Sequence, residues 1–288
     1  MRALLVLVEL WAASEIILLV SPLRREALIY AAVAAFLTIC SFLTFLATRP
    51  PHVPRDAPIV KKLLPLQIAA ILLVIVLTAW MASVHAHVLR VLPPLWATFD
   101  RDANALLTRI ARPGLASALR TFIEYTLLPL VVLAALRVPF TKMGLGGFSR
   151  GSGRAAVIWL VMPVFALAYV LLYADIPAAS VGRNLVTAFL AKGFSEEFLF
   201  RGALLGRLRS FMPGQWATFA QAIVFALWHF GIDVTHAGGN AITALALLVP
   251  AYAVFGFAMA LLARRTGNLA LPALFHTAIA ALRGLFAV

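Results

Sequence analysis

Residues 194–202 place two adjacent glutamates and an arginine within an otherwise apolar stretch, as Glu196, Glu197 and then Arg201. On a helix, Glu197 and Arg201 lie on one face and can form an ion pair, whereas Glu196 points roughly 100° away. Arg201 is then a structural clamp for Glu197, and Glu196 is free to act on a substrate. Lys192, four residues before Glu196, is a competing partner that would reduce Glu196 to a second ion pair.

Two histidines stand within later apolar stretches, His229 four residues after Phe225 and His276 directly after Phe275. A single histidine in such a helix is most often a hydrogen-bonded core residue, and this interpretation stays open for each of them. Together with the glutamate pair, however, they supply a carboxylate and two imidazoles from three separate apolar segments. These groups can activate a water molecule by general-base catalysis and polarise a carbonyl group.

Membrane helices must position these groups, because the composition excludes a soluble domain. The chain has 288 residues, of which 63% are hydrophobic and 12% charged, whereas soluble domains are roughly 45–50% apolar and 25% charged. A charged group at mid-bilayer costs roughly 2.5–3.5 kcal/mol, so such groups persist mainly where they face a protein interior. The charged residues within apolar segments are therefore the first candidates for function.

The apolar runs are continuous, and most have about the length of a membrane span, roughly 20 residues. Strands of a lipid-embedded barrel would alternate apolar and polar residues, so these runs predict helices. We predict an all-α fold, a polytopic transmembrane helical bundle of about eight or nine spans. Such a chain is an integral, multi-pass membrane protein, located in the cell inner membrane if its source is bacterial. The runs lie at about 3–20, 27–47, 63–84, 119–138, 155–173, 184–206, 216–231, 241–263 and 269–287.

Three stretches interrupt the apolar runs. Residues 88–112 contain prolines and several charged residues, which predicts an interfacial segment or a loop with a short amphipathic helix. The proline-rich stretch 49–54 and the glycine-, serine- and arginine-containing stretch 142–154 are predicted to be loops. The basic residues near the second of these favour its placement on the cytoplasmic side.

The charge balance also has a membrane explanation. The chain contains 24 Lys and Arg against 11 Asp and Glu, a formal net charge of +13. In a membrane protein, basic residues gather in cytoplasmic loops and face anionic lipid headgroups. We therefore expect anionic lipid headgroups as partners and no nucleic acid. The single cysteine, Cys40, excludes an internal disulfide.

Two further acidic residues have plainer interpretations. Glu124 lies in the apolar run that begins near residue 119, and it is expected to be a buried partner of an arginine, with a proton relay as the alternative. Asp233 follows His229 by four residues and could orient that imidazole through a hydrogen bond. Gly231 suggests instead that the helix ends before Asp233.

The order and spacing of the polar residues resemble those of a known family, the CPBP intramembrane endopeptidases (CAAX protease and bacteriocin-processing, also called Abi). The eukaryotic prenyl-protein protease Rce1 belongs to it. The family pattern is EExxxR on one helix, FxxxH on the next and HxxxN, sometimes HxxxD, on a later one. In this sequence, Glu196-Glu197-x-x-x-Arg201 matches the first motif and Phe225-x-x-x-His229 matches the second.

The third motif departs from the pattern, because His276 is followed four residues later by Ala280. The stretch 265–269, Arg-Thr-Gly-Asn-Leu, also resembles the family's approach to its last motif. The resemblance covers about residues 183–288. It implies that residues 181–288 form a CPBP-like catalytic helical core and leaves 1–180 as N-terminal transmembrane helices of unassigned role.

The resemblance also implies roles for individual residues. Glu196 would be the general base on the attacking water, His229 would help to hold that water, and His276 would donate to the tetrahedral oxyanion. In the family, the asparagine at the position of Ala280 shares the oxyanion role, and alanine cannot donate from its side chain. Thr277 and Asn268 are candidate substitutes. The remaining motif residues, in supporting roles, are Glu197, Arg201 and Phe225.

These roles predict an intramembrane endopeptidase that hydrolyses a peptide bond of a membrane-attached or hydrophobic-tailed membrane protein or peptide. One glutamate and two histidines are also the ligand set of a catalytic zinc site, formed here by Glu196, His229 and His276. A metal-free glutamate mechanism without a cofactor is favoured, with zinc as the alternative. Two other functions stay open, a proton-coupled transporter and a non-catalytic membrane scaffold derived from the protease.

Overall fold

A computed structural model describes residues 2–49 and 61–286 of the chain. These residues form helices, and no strand is found among them beyond an isolated bridge between Leu145 and Asn268. The predicted all-α fold is confirmed. The proline-rich stretch 49–54, predicted to be a loop, lies outside the described residues except for Arg49.

Fifteen α-helical segments can be followed along the described residues, and several are joined end to end by π-helical turns. The α-helices are α1 Arg2–Leu19, α2 Arg24–Ala47, α3 Leu64–His85, α4 Pro94–Ile110, α5 Pro113–Phe122, α6 Leu128–Ala135, α7 Ser152–Tyr173, α8 Ala178–Ala188, α9 Phe194–Glu197, α10 Leu205–Phe211, α11 Gly214–Trp228, α12 Phe230–His236, α13 Ala241–Leu248, α14 Val254–Thr266 and α15 Ala270–Phe286. The π-helical segments are Ile123–Leu127, Phe189–Gly193, Phe198–Leu204 and Val249–Ala253. Two 3-10 turns lie at Lys61–Leu63 and Phe140–Met143.

Within the described residues, five helices are long and apolar enough to cross a membrane. A sixth crossing results if α11 and α12, which meet at a bend of 50°, count as one span. The chain is therefore an integral, multi-pass membrane protein. The five helices are Arg24–Ala47, Leu64–His85, Pro113–Ala135, Ser152–Tyr173 and Ala241–Thr266.

This count is lower than the eight or nine spans predicted from the apolar runs of the sequence. Helix α1 carries Arg2, Glu9 and Glu15 within its 18 residues, and α15 is only 17 residues long. The stretch 178–211 is interrupted by two π-helical segments and contains the charged residues of 194–202. Apolar composition along a run therefore overstates the number of simple spans here.

The interruption at 88–112 is confirmed as a short amphipathic helix, α4. Trp96 and Leu107 are buried on one face of α4, whereas Arg101 and Asp102 are exposed to solvent. Helix α5 follows after a two-residue break, and Pro113 stands at its first position, where a missing N–H is tolerated.

Contacts among the described residues divide the chain into two compact units. In the first unit, Leu7 of α1 packs with Ala226 of α11 and Leu248 of α13 in a buried apolar cluster. The indole Nε1 of Trp228 donates to Oγ1 of Thr78 at 2.9 Å, which ties the end of α11 to α3. This unit consists of Met1–Phe42, Lys62–Pro93 and Leu204–Leu261.

In the second unit, α15 packs against α7, α8, α9 and the π-helical segment Phe189–Gly193. The fully buried Trp159 of α7 packs edge-on against Phe275 of α15, with ring centroids 5.0 Å apart. Its Nε1 donates to Oγ1 of Thr44 at 2.7 Å. This unit consists of Leu43–Lys61, Pro94–Ala203 and Leu262–Val288.

The stretch 142–154, predicted to be a loop, runs from the second 3-10 turn into the first residues of α7. Its central part is docked within the second unit on the turn that leads into α15. The Leu269 N–H donates to the Gly144 carbonyl at 3.0 Å, and the Ser149 N–H donates to the Thr266 carbonyl at 2.8 Å. These bonds fix the start of α15, the helix that carries His276.

Candidate active site

The carboxyl groups of Glu196 and Glu197 are buried in the second unit with the Arg201 guanidinium, and the partly buried His276 imidazole lies beside them. Oε2 of Glu197 lies 3.3 Å from Nε of Arg201, and Oε1 of the same carboxylate lies 3.0 Å from Nδ1 of His276. Oε2 of Glu196 lies 3.8 Å from the other imidazole nitrogen, Nε2. Glu197 is therefore shared by Arg201 and His276, while Glu196 faces the opposite edge of the imidazole.

The two glutamates occupy α9, a single α-helical turn between two π-helical segments. A π-helical turn spaces its hydrogen bonds five residues apart, and such turns occur frequently at functional sites. Gly193 ends the first of these segments, and a Cβ atom at this position would overlap the hydroxyl group of Thr277. Glycine therefore allows α15 to approach closely, which brings His276, the neighbour of Thr277, to the glutamates.

Asn268 fixes the first turn of α15. Its Oδ1 accepts a hydrogen bond from the Ala270 N–H at 2.7 Å, and its Nδ2 donates to the Gly146 carbonyl. Thr277 Oγ1 donates to the Ala273 carbonyl within the same helix, at 2.7 Å. Both candidate substitutes for the missing asparagine are thus engaged by the backbone. Their expected role as oxyanion donors has no support in these contacts.

The two imidazole nitrogens of His276 face different carboxylates. Nδ1 contacts Oε1 of Glu197, and because a carboxylate accepts hydrogen bonds, Nδ1 is the donor in this contact. Nε2 is directed toward Glu196, 3.8 Å away. The carboxylate of Glu197 is thus both paired with Arg201 and hydrogen-bonded, which is the condition under which a buried charge is tolerated.

Lys192 was the competing partner of Glu196. Its side chain is exposed, and no ion pair between Lys192 and Glu196 is present in the described part of the chain. Lys192 lies within the π-helical segment Phe189–Gly193 and Glu196 in the α-helical turn that follows, so the two residues do not have the spacing of a regular α-helix. Glu196 is thereby left to face His276.

In the first unit, His229 lies at the break between α11 and α12. Its Nδ1 is 2.9 Å from the carbonyl oxygen of Phe225, and this contact favours a proton on Nδ1, which makes Nε2 the acceptor nitrogen. The imidazole is stacked on the ring of Tyr252, with centroids 3.8 Å apart and an angle of 13° between the planes. The hydroxyl group of Tyr252 donates to Oδ1 of Asp233 at 3.3 Å.

Asp233 was expected to orient His229. Its Oδ1 accepts a hydrogen bond from the hydroxyl group of Tyr252, the residue whose ring stacks on that imidazole. The interruption of the helix falls at His229 itself rather than at Gly231, because α12 begins at Phe230 and continues through Gly231. The sequence alone could not predict the contact of Tyr252 with His229, because Tyr252 follows His229 by 23 residues and lies on another segment.

The predicted site residues are distributed over the two units. The second unit brings together Glu196, Glu197, Arg201 and His276, and it also contains Ala280, which is partly exposed on α15. The first unit contains the FxxxH residues described above. Within the described residues, no group of three or more His, Cys, Asp or Glu side chains could hold a metal ion.

Glu124 is buried as expected, but among the described residues no ion pair joins its carboxyl group to an arginine. Glu124 is fully buried, and its two carboxyl oxygens have no hydrogen-bond partner among the described residues. Arg120, one turn earlier, pairs instead with Asp100 of α4, with 2.5 Å between Nη1 and Oδ1. The pairing follows from the packing of α4 against α5, a contact that the order of residues along the chain does not reveal.

Residues 178–282 match the family model described as type II CAAX prenyl endopeptidase Rce1-like. This match confirms the resemblance to the CPBP endopeptidases, and over these residues the chain is similar to that family. The family is one of intramembrane CAAX-type endopeptidases, proteases whose substrates are membrane-associated proteins or peptides. No significant match to the chain is found among curated proteins or among solved structures.

Proposed function

We propose that the chain hydrolyses a peptide bond of a membrane-attached or hydrophobic-tailed substrate through a water molecule activated by Glu196. The main observation in support is the shared contact of His276 with both glutamates. Because Arg201 and His276 occupy the two oxygens of Glu197, the adjacent Glu196 is the carboxylate available to a water molecule.

In the proposed reaction, Glu196 accepts a proton from water, and the hydroxide attacks the carbonyl carbon of the scissile bond. The imidazolium of His276 donates from Nε2 to the oxyanion that forms, and Glu197 stabilises the positive ring through Nδ1. Glu196 then returns its proton to the leaving amine as the C–N bond breaks. For His229, the resemblance in the FxxxH motif supports the proposed role of helping to hold the attacking water.

We infer that the reaction does not need a metal ion. In support, Glu196 and His276 already supply a general base and a hydrogen-bond donor, which are the groups that a metal-free hydrolysis needs. Zinc remains the alternative hypothesis, with Glu196, His229 and His276 as its ligands. Metal analysis of the active preparation, together with activity after chelation and dialysis, tests this inference.

The test of the proposed function is a cleavage assay on purified protein reconstituted into lipid vesicles. A prenylated peptide and a peptide with an apolar membrane anchor serve as probes. We expect Glu196→Gln to be folded and inactive, and Glu9→Gln, an exposed residue of α1, to match the parent protein. Full activity in Glu196→Gln would overturn the proposal, and a parent protein that cleaves neither probe would favour the scaffold.

A further inference from the structure

The π-helical segment Ile123–Leu127 is joined to the glutamate-bearing turn by a chain of buried hydroxyl groups. Thr126 Oγ1 donates to Ser195 Oγ across 3.2 Å, and the Ser195 hydroxyl in turn donates to the carbonyl oxygen of Leu190. Thr126 and Ser195 are 3% and 0% exposed, respectively. These two hydrogen bonds thus connect the π-helical segments Ile123–Leu127 and Phe189–Gly193 of the second unit, at the residue immediately before Glu196.

The number of hydroxyl hydrogens determines which group donates and which accepts in these two hydrogen bonds. Each hydroxyl group has one hydrogen to donate, and the hydroxyl group of Ser195 donates its hydrogen to the carbonyl oxygen of Leu190. Thr126 must therefore be the donor to Ser195. Valine has nearly the shape of threonine but cannot donate, whereas serine can.

The turn that carries Glu196 needs a stabilising contact such as the hydrogen bond from Thr126 to Ser195. The π-helical segment Phe189–Gly193 lies directly before the turn that carries the glutamates. A π-helical segment interrupts the regular backbone hydrogen bonds of an α-helix. The orientation of the residues that follow it therefore depends on contacts with neighbouring elements. Among neighbouring elements, Ile123–Leu127 contacts α9, and Thr126 supplies a polar link between them.

We propose that Thr126 is a positioning residue for the hydrolytic reaction, acting through Ser195 to hold the carboxylate of Glu196 in its productive place. This inference rests on the proposed function. Because a displacement of about 1 Å in a reacting group can cost up to about 100-fold in rate, the loss of this link should appear in the chemical step. Substrate affinity should be much less affected.

Three variants test the inference in the same vesicle assay. We expect Thr126→Val to lower kcat by about 10- to 100-fold with KM unchanged, and Thr126→Ser to restore kcat. Thr121→Val is the matched control. Thr121 lies one turn before Thr126, in α5, and its hydroxyl group donates to the carbonyl oxygen of Ser117 within that helix. The Thr121→Val variant should retain the kcat of the parent protein.

The proposal is overturned if Thr126→Val keeps the parental kcat, or if KM rises while kcat does not change. Should Thr126→Val fail to fold, Ser195→Ala provides the second variant, and parental kcat in that variant also overturns the proposal. Glu196→Gln separates the two hypotheses. If that variant is inactive while Thr126→Val is fully active, the positioning role fails and the proposed function stands.

Discussion

Nδ1 of His276 lies 3.0 Å from Oε1 of Glu197, although the two residues are 79 positions apart in the chain. A carboxylate that accepts a hydrogen bond from one imidazole nitrogen fixes the orientation of the ring and stabilises its protonated form. The second nitrogen is then directed toward Glu196, 3.8 Å away. The contact therefore explains why two adjacent glutamates can have different roles.

Removal of the buried ion pair between Arg201 and Glu197 is expected to destabilise the fold. Arg201→Ala should lower the free energy of unfolding by about 3–5 kcal/mol, because it leaves the carboxylate of Glu197 buried without its cation. Equilibrium unfolding in detergent micelles measures this change. The yield of folded protein should fall with it.

Arg101 provides the matched control. It also pairs with an acidic residue, Asp102, but both side chains are about 70% exposed, at 73% and 69%. Exposed pairs contribute about 0–1 kcal/mol, so Arg101→Ala should leave unfolding almost unchanged. Equal destabilisation by the two substitutions would contradict the structural role assigned to Arg201.

The pairing of Glu197 with Arg201 could be foreseen from the sequence, because residues four apart share a helix face. The apolar composition likewise predicted helices in a membrane. Both inferences use information contained within one segment. The contact of Glu197 with His276, by contrast, depends on which helices pack together, and only the family resemblance placed His276 near the glutamates.

The π-helical segments and the partner of Arg120 could not be predicted. A π-helical turn is selected by packing against neighbours, and Ile123–Leu127 has no sequence feature that separates it from an ordinary helical turn. Arg120 had an acidic residue one turn away in Glu124, yet it pairs with Asp100 across the junction of α4 and α5. Local spacing indicates which pairs are available, and tertiary packing selects among them.

The close approach of α15 to Gly193 gives a second prediction. In Gly193→Ala, the new Cβ would overlap the Thr277 hydroxyl and lie 2.8 Å from the Ala273 carbonyl oxygen. The helix must move away, which displaces His276 from the glutamates. We expect kcat to fall by about 10- to 100-fold, as measured in the vesicle assay.

A double variant tests this explanation. Thr277→Ala removes the hydroxyl group, so Gly193→Ala combined with Thr277→Ala should recover part of the lost activity. Gly182→Ala is the control in the preceding helix, because a Cβ there meets no atom within 4 Å. The explanation fails if the double variant is no more active than Gly193→Ala alone.

The stacking of His229 on Tyr252 gives a third prediction. Tyr252→Phe keeps the aromatic ring and loses the long hydrogen bond to Asp233, so it should retain nearly full activity. Tyr252→Leu removes the flat surface that orients the imidazole, and kcat should fall by about tenfold. The ratio of the two kcat values is the measurement. A Tyr252→Phe variant as slow as Tyr252→Leu would assign the role to the hydroxyl group instead of the ring.

The last prediction concerns Ala280, four residues after His276 and on the same face of α15. Loss of one oxyanion donor costs about 10²–10³ in rate, so the parent protein should be a slow enzyme. Ala280→Asn adds an amide donor beside the imidazole and should raise kcat by at least about tenfold. His276→Ala should abolish cleavage in either background. If Ala280→Asn is no faster and His276→Ala keeps full activity, this face of α15 does not stabilise the oxyanion, and Glu196 must act with donors from other segments.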